Sequence, residues 1–344
     1  MDAKRRTTLL LAALGIPFAM LPISRANEEI QTVNLYADEG LASYGFPDGH
    51  PLGIDRQAAF LAEAEAQGLL SRTVRSNSRR ATREELELFH TTDYIDYVFK
   101  AEDRGIRLLD EGDTPVFPGV YEASAHVVGA ALDGLTQIME GNCIQTLQPI
   151  GGLHHAARGG AAGFCVFNDL GIVIEALRHA YGITRVGYVD IDVHHGDGVF
   201  YAFENDPELI FADVHQHSKT LYPGTGRTDE VGRGSARGTK LNIELLPGSG
   251  DHEFAEVWSQ VEGHFEKHRP EFYIFQCGAD GLEGDALASL QYSEKTHALA
   301  TRRLIALANS HAKGRIMAFG GGGYNRTNLA RAWNAVLKEL LISG

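Results

Sequence analysis

The sequence predicts a single α/β domain: a mainly parallel sheet with helices on both faces and a functional site at the carboxyl ends of its strands. Three observations carry this. Apolar, strand-like runs alternate with helix-like segments along most of the chain, the pattern that produces parallel sheets covered on both faces. After Asn27 no internal repeat, low-complexity tract or Pro/Ser-rich linker divides the sequence. The unusual polar residues follow the predicted strands, where ligands sit in open parallel sheets.

The first segment is different in kind. Lys4-Arg5-Arg6 precedes an apolar run over 9–23, and Ser24-Arg25-Ala26 offers a small-residue cleavage site before Asn27. Residues 1–26 therefore read as an export signal and 27–344 as the catalytic domain, with a periplasmic destination and no stable membrane insertion after cleavage. The Arg5-Arg6 pair fits the twin-arginine route, although Thr7-Thr8-Leu9 follows it. The rivals are an uncleaved anchor, which Pro17 and Pro22 interrupt, and a frayed helix on a cytoplasmic protein.

Next come a first strand over 32–36 and an Ala-, Glu- and Leu-rich helix over 55–67. Thr82-Arg83-Glu84-Glu85 has capping-box spacing and opens another helix. A long apolar-periodic helix over 120–139 ends at Gly141. From there the alternation is regular. Strands are expected over 144–150, 185–190, 209–214, 240–246, 272–276 and 315–319. Helices are expected over 169–181 (closed by Gly182), 252–268, 294–312 (closed by Gly314) and 327–341. Five strand ends carry polar clusters: Gly151 to His155, Asp190 to Asp197, His215, Asp280, and Gly320 to Tyr324.

Composition narrows the function classes. The formal charge of −14 disfavours a phosphate backbone as partner, so no nucleic-acid role is expected. Cys143, Cys165 and Cys277 are odd in number and far apart, which argues against disulfides and against a thiolate metal site.

Asp190-Ile191-Asp192-Val193-His194-His195-Gly196-Asp197 packs three carboxylates and two imidazoles into one stretch. With strand alternation, Asp190, Asp192 and His194 project to one face, and Ile191, Val193 and His195 to the other. Asp192, His194 and Asp280 are candidate metal ligands. One nitrogen and two carboxylates suit zinc, and also ferrous iron or manganese. The rival reading of Asp280 is a loop turn between Gly278 and Gly281. His154-His155 can act as a proton-transfer pair beside a metal-bound water, with Asp190 and Asp197 orienting them. Tyr324, after four glycines, can donate to a developing oxyanion. A phosphate cradle is the rival for those glycines, but no Gly-Lys-Ser/Thr follows. Together these groups describe metal-assisted hydrolysis of a carbonyl compound, an amide being the natural substrate.

The motifs Gly151-Gly152-Leu153-His154-His155-Ala156, Gly163-Phe164-Cys165-Val166-Phe167-Asn168-Asp169, Asp190 to Gly198, Gly278-Ala279-Asp280 and Gly320 to Tyr324 resemble, in order, the metal-dependent histone deacetylase family. That group includes acetoin-utilisation proteins and acetylpolyamine amidohydrolases. The resemblance runs from about Asp38 onward and implies the arginase–deacetylase fold. It implies zinc on Asp192, His194 and Asp280, with His155 as general base and acid paired with Asp197. His154 would be its electrostatic partner, paired with Asp190, and Tyr324 would polarise the acyl carbonyl. Gly163-Phe164 and Tyr222 would wall an acyl-lysine tunnel, Asp113 would hold the substrate backbone at its rim, and Arg56 would stand behind the metal site. A structural potassium near Asp190, Asp192, His194, Asp213 and Val214 is also implied.

The partner implied is an acylated amine such as acetyl-lysine, with acetylpolyamines or another small amide as alternatives. Export would separate the enzyme from cytosolic acetyl-lysine, which bears on substrate and not on reaction type. Two other classes fit the residues less well. A two-manganese ureohydrolase needs an Asp-x-Asp pattern where Asp280-Gly281-Leu282-Glu283 stands, and a catalytically inactive acyl-binding protein would lack a ligand or the tyrosine.

Overall fold

The computed structural model describes residues 33–47 and 49–342. The segment read as an export signal lies outside the described residues. Among the described residues eight strands form one sheet: β1 (Val33–Tyr36), β2 (Val74–Ser76), β3 (Gln145–Gln148), β4 (Val186–Asp190), β5 (Leu209–Gln216), β6 (Lys240–Leu245), β7 (Phe272–Gln276) and β8 (Ile316–Phe319), in the order β2-β1-β3-β8-β7-β4-β5-β6. Every pairing is parallel. The helices are α1 (Glu39–Ala42), α2 (Arg56–Ala66), α3 (Arg83–Leu86), α4 (Thr92–Phe99), α5 (Val120–Met139), α6 (Asp169–Tyr181), α7 (Asp197–Ala202), α8 (Asp251–His268), α9 (Glu294–His311) and α10 (Arg326–Ile342).

Alternation sorts strand residues into two core layers. Val186, Tyr188, Phe272, Ile274 and Phe319 pack with α5 and α6 residues such as Val128, Leu135 and Leu170. Val189, Ile191, Val193, Phe275 and Ala318 pack with Phe60, Phe254, Leu304 and Trp333 from α2, α8, α9 and α10. Each fully buried Val, Leu, Ile or Phe side chain contributes roughly 1.5–3 kcal/mol. A one-residue slip of β4 would exchange its layers and drive Asp190 into the apolar layer under α8–α10. The register that buries the valines is therefore the register that aims the carboxylates.

Local signals set the helix ends. Asn168 accepts from Gly171 N at 2.8 Å to start α6, and Gly182 closes it in the left-handed region at φ 65°. The Thr82–Glu85 capping box forms, but its helix runs only four residues. Two features depart from the sequence expectations. β2 is a three-residue edge strand, too short for periodicity to reveal. β5 stays paired with β6 as far as Gln216↔Leu245, so His215 lies inside the strand instead of beyond it. Among the described residues no helix is long and apolar enough to cross a membrane.

Candidate active site

The central strands β3, β8, β7 and β4 are neighbours, and their carboxyl ends bring the polar clusters together. Asp192, His194 and Asp280 are all buried, and each offers one ligand atom within 4.8 Å of the others. Hydrogen bonds fix their aim. Asp192 Oδ2 accepts from Gly322 N at 2.8 Å and from Gln276 Nε2 at 2.9 Å. Asp280 Oδ1 accepts from Val193 N at 3.0 Å. Asp280 Oδ2 is buried with no hydrogen bond, its near neighbour being His194 Nδ1 at 3.2 Å. The same nitrogen lies 3.0 Å from Asp192 Oδ1, so one imidazole nitrogen faces two buried carboxylates.

The electrostatics of this trio call for positive charge. Burial and the Asp192 carboxylate push Asp280 up to about 7. Burial alone would lower His194, but the Asp192 and Asp280 carboxylates facing it push it up to about 10. The surrounding backbone is glycine where it touches the ligands. A Cβ on Gly278 would stand 2.0 Å from Asp192 Oδ2, and one on Gly322 2.0 Å from Asp280 Oδ2. One nitrogen, two carboxylate oxygens, a buried unpaired acceptor and a side-chain-free cradle fit a divalent ion of the zinc, ferrous iron or manganese kind.

Beside the trio, His154 Nδ1 lies 2.9 Å from Asp190 Oδ2, and His155 Nδ1 lies 2.7 Å from Asp197 Oδ1. Each carboxylate fixes the proton on Nδ1 and leaves Nε2 free to accept. The two rings are 4.1 Å apart. Burial, then the His154 imidazole, lowers His155 to about 4 against the pull of Asp197, so its ring is neutral at ordinary pH. Burial and the Asp213 and Asp192 charges raise Asp190, which also accepts from Tyr188 Oη at 2.5 Å.

The remaining expected residues surround this centre. Leu52, Leu153, Gly163, Cys165 and Tyr324 join His154, His155, Asp192 and His194 in lining a cleft of about 270 Å³. Burial, with the Asp280 and Asp192 charges, holds the Tyr324 phenol well above its usual range, so it stays a donor. Arg56 is buried behind the glycine loop and donates to Gly323 O at 2.9 Å and Gly321 O at 2.5 Å. The Phe164 ring packs edge-on to Tyr324 at 5.9 Å, and the Tyr222 ring packs against His155 at 5.2 Å. Between them a Cβ on Gly163 would meet His155 Cδ2 at 2.5 Å. Asp113 is exposed. It flanks the Phe164 wall: its neighbour Thr114 accepts from Phe164 N at 3.1 Å, and its backbone meets His50. A larger surface cleft, about 720 Å³ beside Arg227, Arg233 and Arg237, gathers no such trio.

One expectation needs correction. His195 does not continue the strand alternation, because β4 ends at Asp190 and the chain turns. Its ring packs on Phe200 and Phe211, in the α5–α6 layer, and its Nδ1 lies 2.9 Å from Thr225 Oγ1. The potassium implied near Asp190, Asp192, His194, Asp213 and Val214 remains an expectation, and the side chains of these residues turn to different partners. Val214 points into the opposite layer, Asp192 and His194 turn to the trio, and Asp213 bonds His215 Nδ1 at 2.7 Å and Gly196 N at 2.9 Å. Only Asp190 and Asp213 sit side by side in the β4–β5 register.

Several supporting residues went unread in the sequence. Gln276 holds Asp192. Asp169 accepts from Gly152 N and Leu153 N, each at 2.8 Å, bracing the tandem-histidine loop. Asn168 donates to Ala156 O at 2.8 Å. A polar residue ending an apolar strand and an acid at a helix start were the available signals, and both have bland explanations when seen alone.

Comparison with known proteins gives the arrangement its context. The histone deacetylase domain family matches residues 50–340. The acetoin utilization protein AcuC of Bacillus subtilis is 36% identical over 275 residues, covering 76% of this chain and 70% of that protein. The histone deacetylase RPD3 of Saccharomyces cerevisiae is 32% identical over 324 residues, covering 91% and 72%. Among solved structures, the HD domain of HDA15 superposes with a TM-score of 0.82 at 27% identity, covering 91% of this chain and 88% of that one. With its all-parallel sheet and strand-end cleft, this chain belongs to the histone deacetylase family and is a hydrolytic deacetylase of the arginase–deacetylase fold.

Proposed function

We propose that the chain hydrolyses an acetyl amide of the acetyl-lysine type, using zinc held by Asp192, His194 and Asp280. The observation that carries this is the convergence of two His–carboxylate pairs, a protonated tyrosine and the ligand trio on one cleft. A zinc ion there supplies Lewis acidity toward the acyl oxygen and toward a water.

The chain's own groups do the rest. His155, with Nδ1 on Asp197, takes the water's proton at Nε2 and returns it to the departing amine, which cannot leave as an anion. His154, held by Asp190, keeps the pair oriented. Tyr324 Oη donates to the acyl oxygen as negative charge gathers there, a contribution worth roughly 10²–10³ in rate for one such donor. The Phe164 and Tyr222 rings, with Gly163 between them, leave a slot for an unbranched alkyl arm. Asp113 at the rim accepts from the backbone N–H groups of a peptide substrate. That feature favours acetyl-lysine over acetylpolyamines, which have no peptide backbone.

The test is deacetylation by the zinc-loaded full chain of acetyl-lysine peptides and acetylpolyamines, with Tyr324→Phe as control. Peptide turnover that disappears on metal stripping, returns with zinc and collapses in the control is expected. Undiminished turnover after complete stripping would sink the reading. We further propose that residues 1–26 direct export. Mass spectrometry of the protein purified from its native host should find a start at Asn27, and a start at Met1 would exclude cleavage.

A further inference from the structure

Four successive glycines, Gly320 to Gly323, precede Tyr324. They bring no side chains to pack, so backbone contacts must place the tyrosine. Arg56 holds the carbonyls of Gly321 and Gly323, and Arg326 holds the carbonyl of Tyr324 at 2.9 Å. On the amide side Asp192 takes Gly322 N, and a different anion takes the amides at the tyrosine. Asp285 Oδ2 accepts from Tyr324 N at 2.8 Å and from Asn325 N at 3.1 Å. Asp285 is 9% exposed and sits on the connection that leaves Asp280, turned back by its own N–H on Leu282 O at 3.1 Å. Charge-assisted bonds of this kind are about twice as strong as neutral ones.

We propose that Asp285 is a positioning residue that couples the Asp280 connection to the Tyr324 loop and sets the reach of the phenol into the cleft. Cations grip the loop's carbonyls and this anion grips its amides, so the peptide bearing Tyr324 is fixed at both ends. Loss of the anion frees the Tyr324 and Asn325 amides and lets the ring retreat from the acyl oxygen, where a misplacement of about 1 Å can cost two orders of magnitude. The inference rests on the proposed role of Tyr324.

The experiment uses zinc-loaded full-length protein and a fluorogenic acetyl-lysine peptide, with Asp285→Ala and Asp285→Asn made alone and in a Tyr324→Phe background. Asp285→Ala should lower kcat roughly 30-fold with KM within about twofold. Asp285→Asn, which keeps an oxygen acceptor, should lower kcat only about fivefold. Neither should lower kcat further once Tyr324 is Phe, and bound zinc should stay at wild-type level. Hydrogen exchange at the Tyr324 and Asn325 amides should speed up in both variants. Full kcat in the two variants, or losses that multiply with that of Tyr324→Phe, overturns the proposal. If Asp285→Ala does not fold, Asp285→Asn decides by the same criteria. A fully active Tyr324→Phe protein overturns the reading of the tyrosine instead, and so separates the two failures.

Discussion

At the floor of the cleft, each chemically competent side chain leaves a strand end and is gripped from behind. Asp192 is held by Gly322 N and Gln276 Nε2, Asp280 by Val193 N, and His155 by Asp197. At the mouth, the corresponding groups ride on long connections. Tyr222 lies between β5 and β6 and is 49% exposed, and Asp113 is exposed between α4 and α5. The difference follows from what each region must do. Reaction geometry tolerates little displacement, so it is mounted on the sheet, whereas partner choice can vary on connections without disturbing the core. Reaction type is therefore the firmer property of this chain, and substrate identity the one most open to experiment.

Removing a floor ligand should have the largest effect. Asp280→Ala deletes one of two carboxylates facing His194 and should lower kcat/KM by roughly 10³-fold or more. Equilibrium dialysis should find weakened zinc binding in the same protein. Gly322→Ala makes the same point without touching a ligand, because its Cβ would stand 2.0 Å from Asp280 Oδ2. If either protein binds zinc normally and keeps its activity, the trio is not the metal site.

Tyr324→Phe comes next. It keeps the ring against Phe164 and deletes only the donor, so kcat should fall roughly 10²–10³-fold while zinc content and melting temperature hold. A loss confined to KM would move Tyr324 from the floor to the mouth in function.

The same contrast governs what could be read from sequence. Floor residues were legible because strand alternation and strand-end placement are local rules: Asp192, His194 and Asp280 need only the β4 and β7 runs to be recognised. Support was harder to see. Gln276 and Asp285 act through backbone groups far along the chain, and nothing local distinguishes them from an ordinary strand-end amide or turn acid. His195 was misplaced because alternation, which holds as far as His194, was carried one residue further, where the chain turns toward α7. The order of the eight strands was not legible at all, since adjacency depends on which apolar faces meet and not on periodicity.

Support can also be probed by pH. His90 lies under the tandem-histidine wall, accepting from Asn168 N at 2.8 Å through Nε2, and Asn168 in turn holds Ala156 O. Burial lowers His90 to about 4 from its usual 6.5, and a protonated ring could not accept that bond. The unfolded chain binds the proton first, so stability is full above pH 6.5, declines as pH falls through it, and has lost roughly 3 kcal/mol below about pH 4. His264 is also lowered to about 4 by burial and adds a decline of the same sign, so the comparison is between wild type and His90→Gln, whose amide oxygen can still accept. Urea unfolding should give a shallower slope for the variant between pH 7 and pH 5. Parallel slopes would show that His90 is not neutral in the fold.

Asp113→Ala should have the smallest effect and the most informative pattern. Burial and the nearby Asp110 charge raise the Asp113 carboxyl somewhat, yet the side chain remains exposed, so water competes for whatever it binds. A charged acceptor to peptide N–H groups is worth about 1.5 kcal/mol or less in such a position. KM for an acetyl-lysine peptide should therefore rise roughly threefold to tenfold with kcat nearly unchanged. KM for an acetylpolyamine, which offers no backbone N–H, should hold. Equal KM increases for both substrates would mean that Asp113 attracts amines by charge alone and would return the polyamines to contention. A collapse in kcat would place Asp113 with the floor and erase the division between a chemical base and an adjustable mouth.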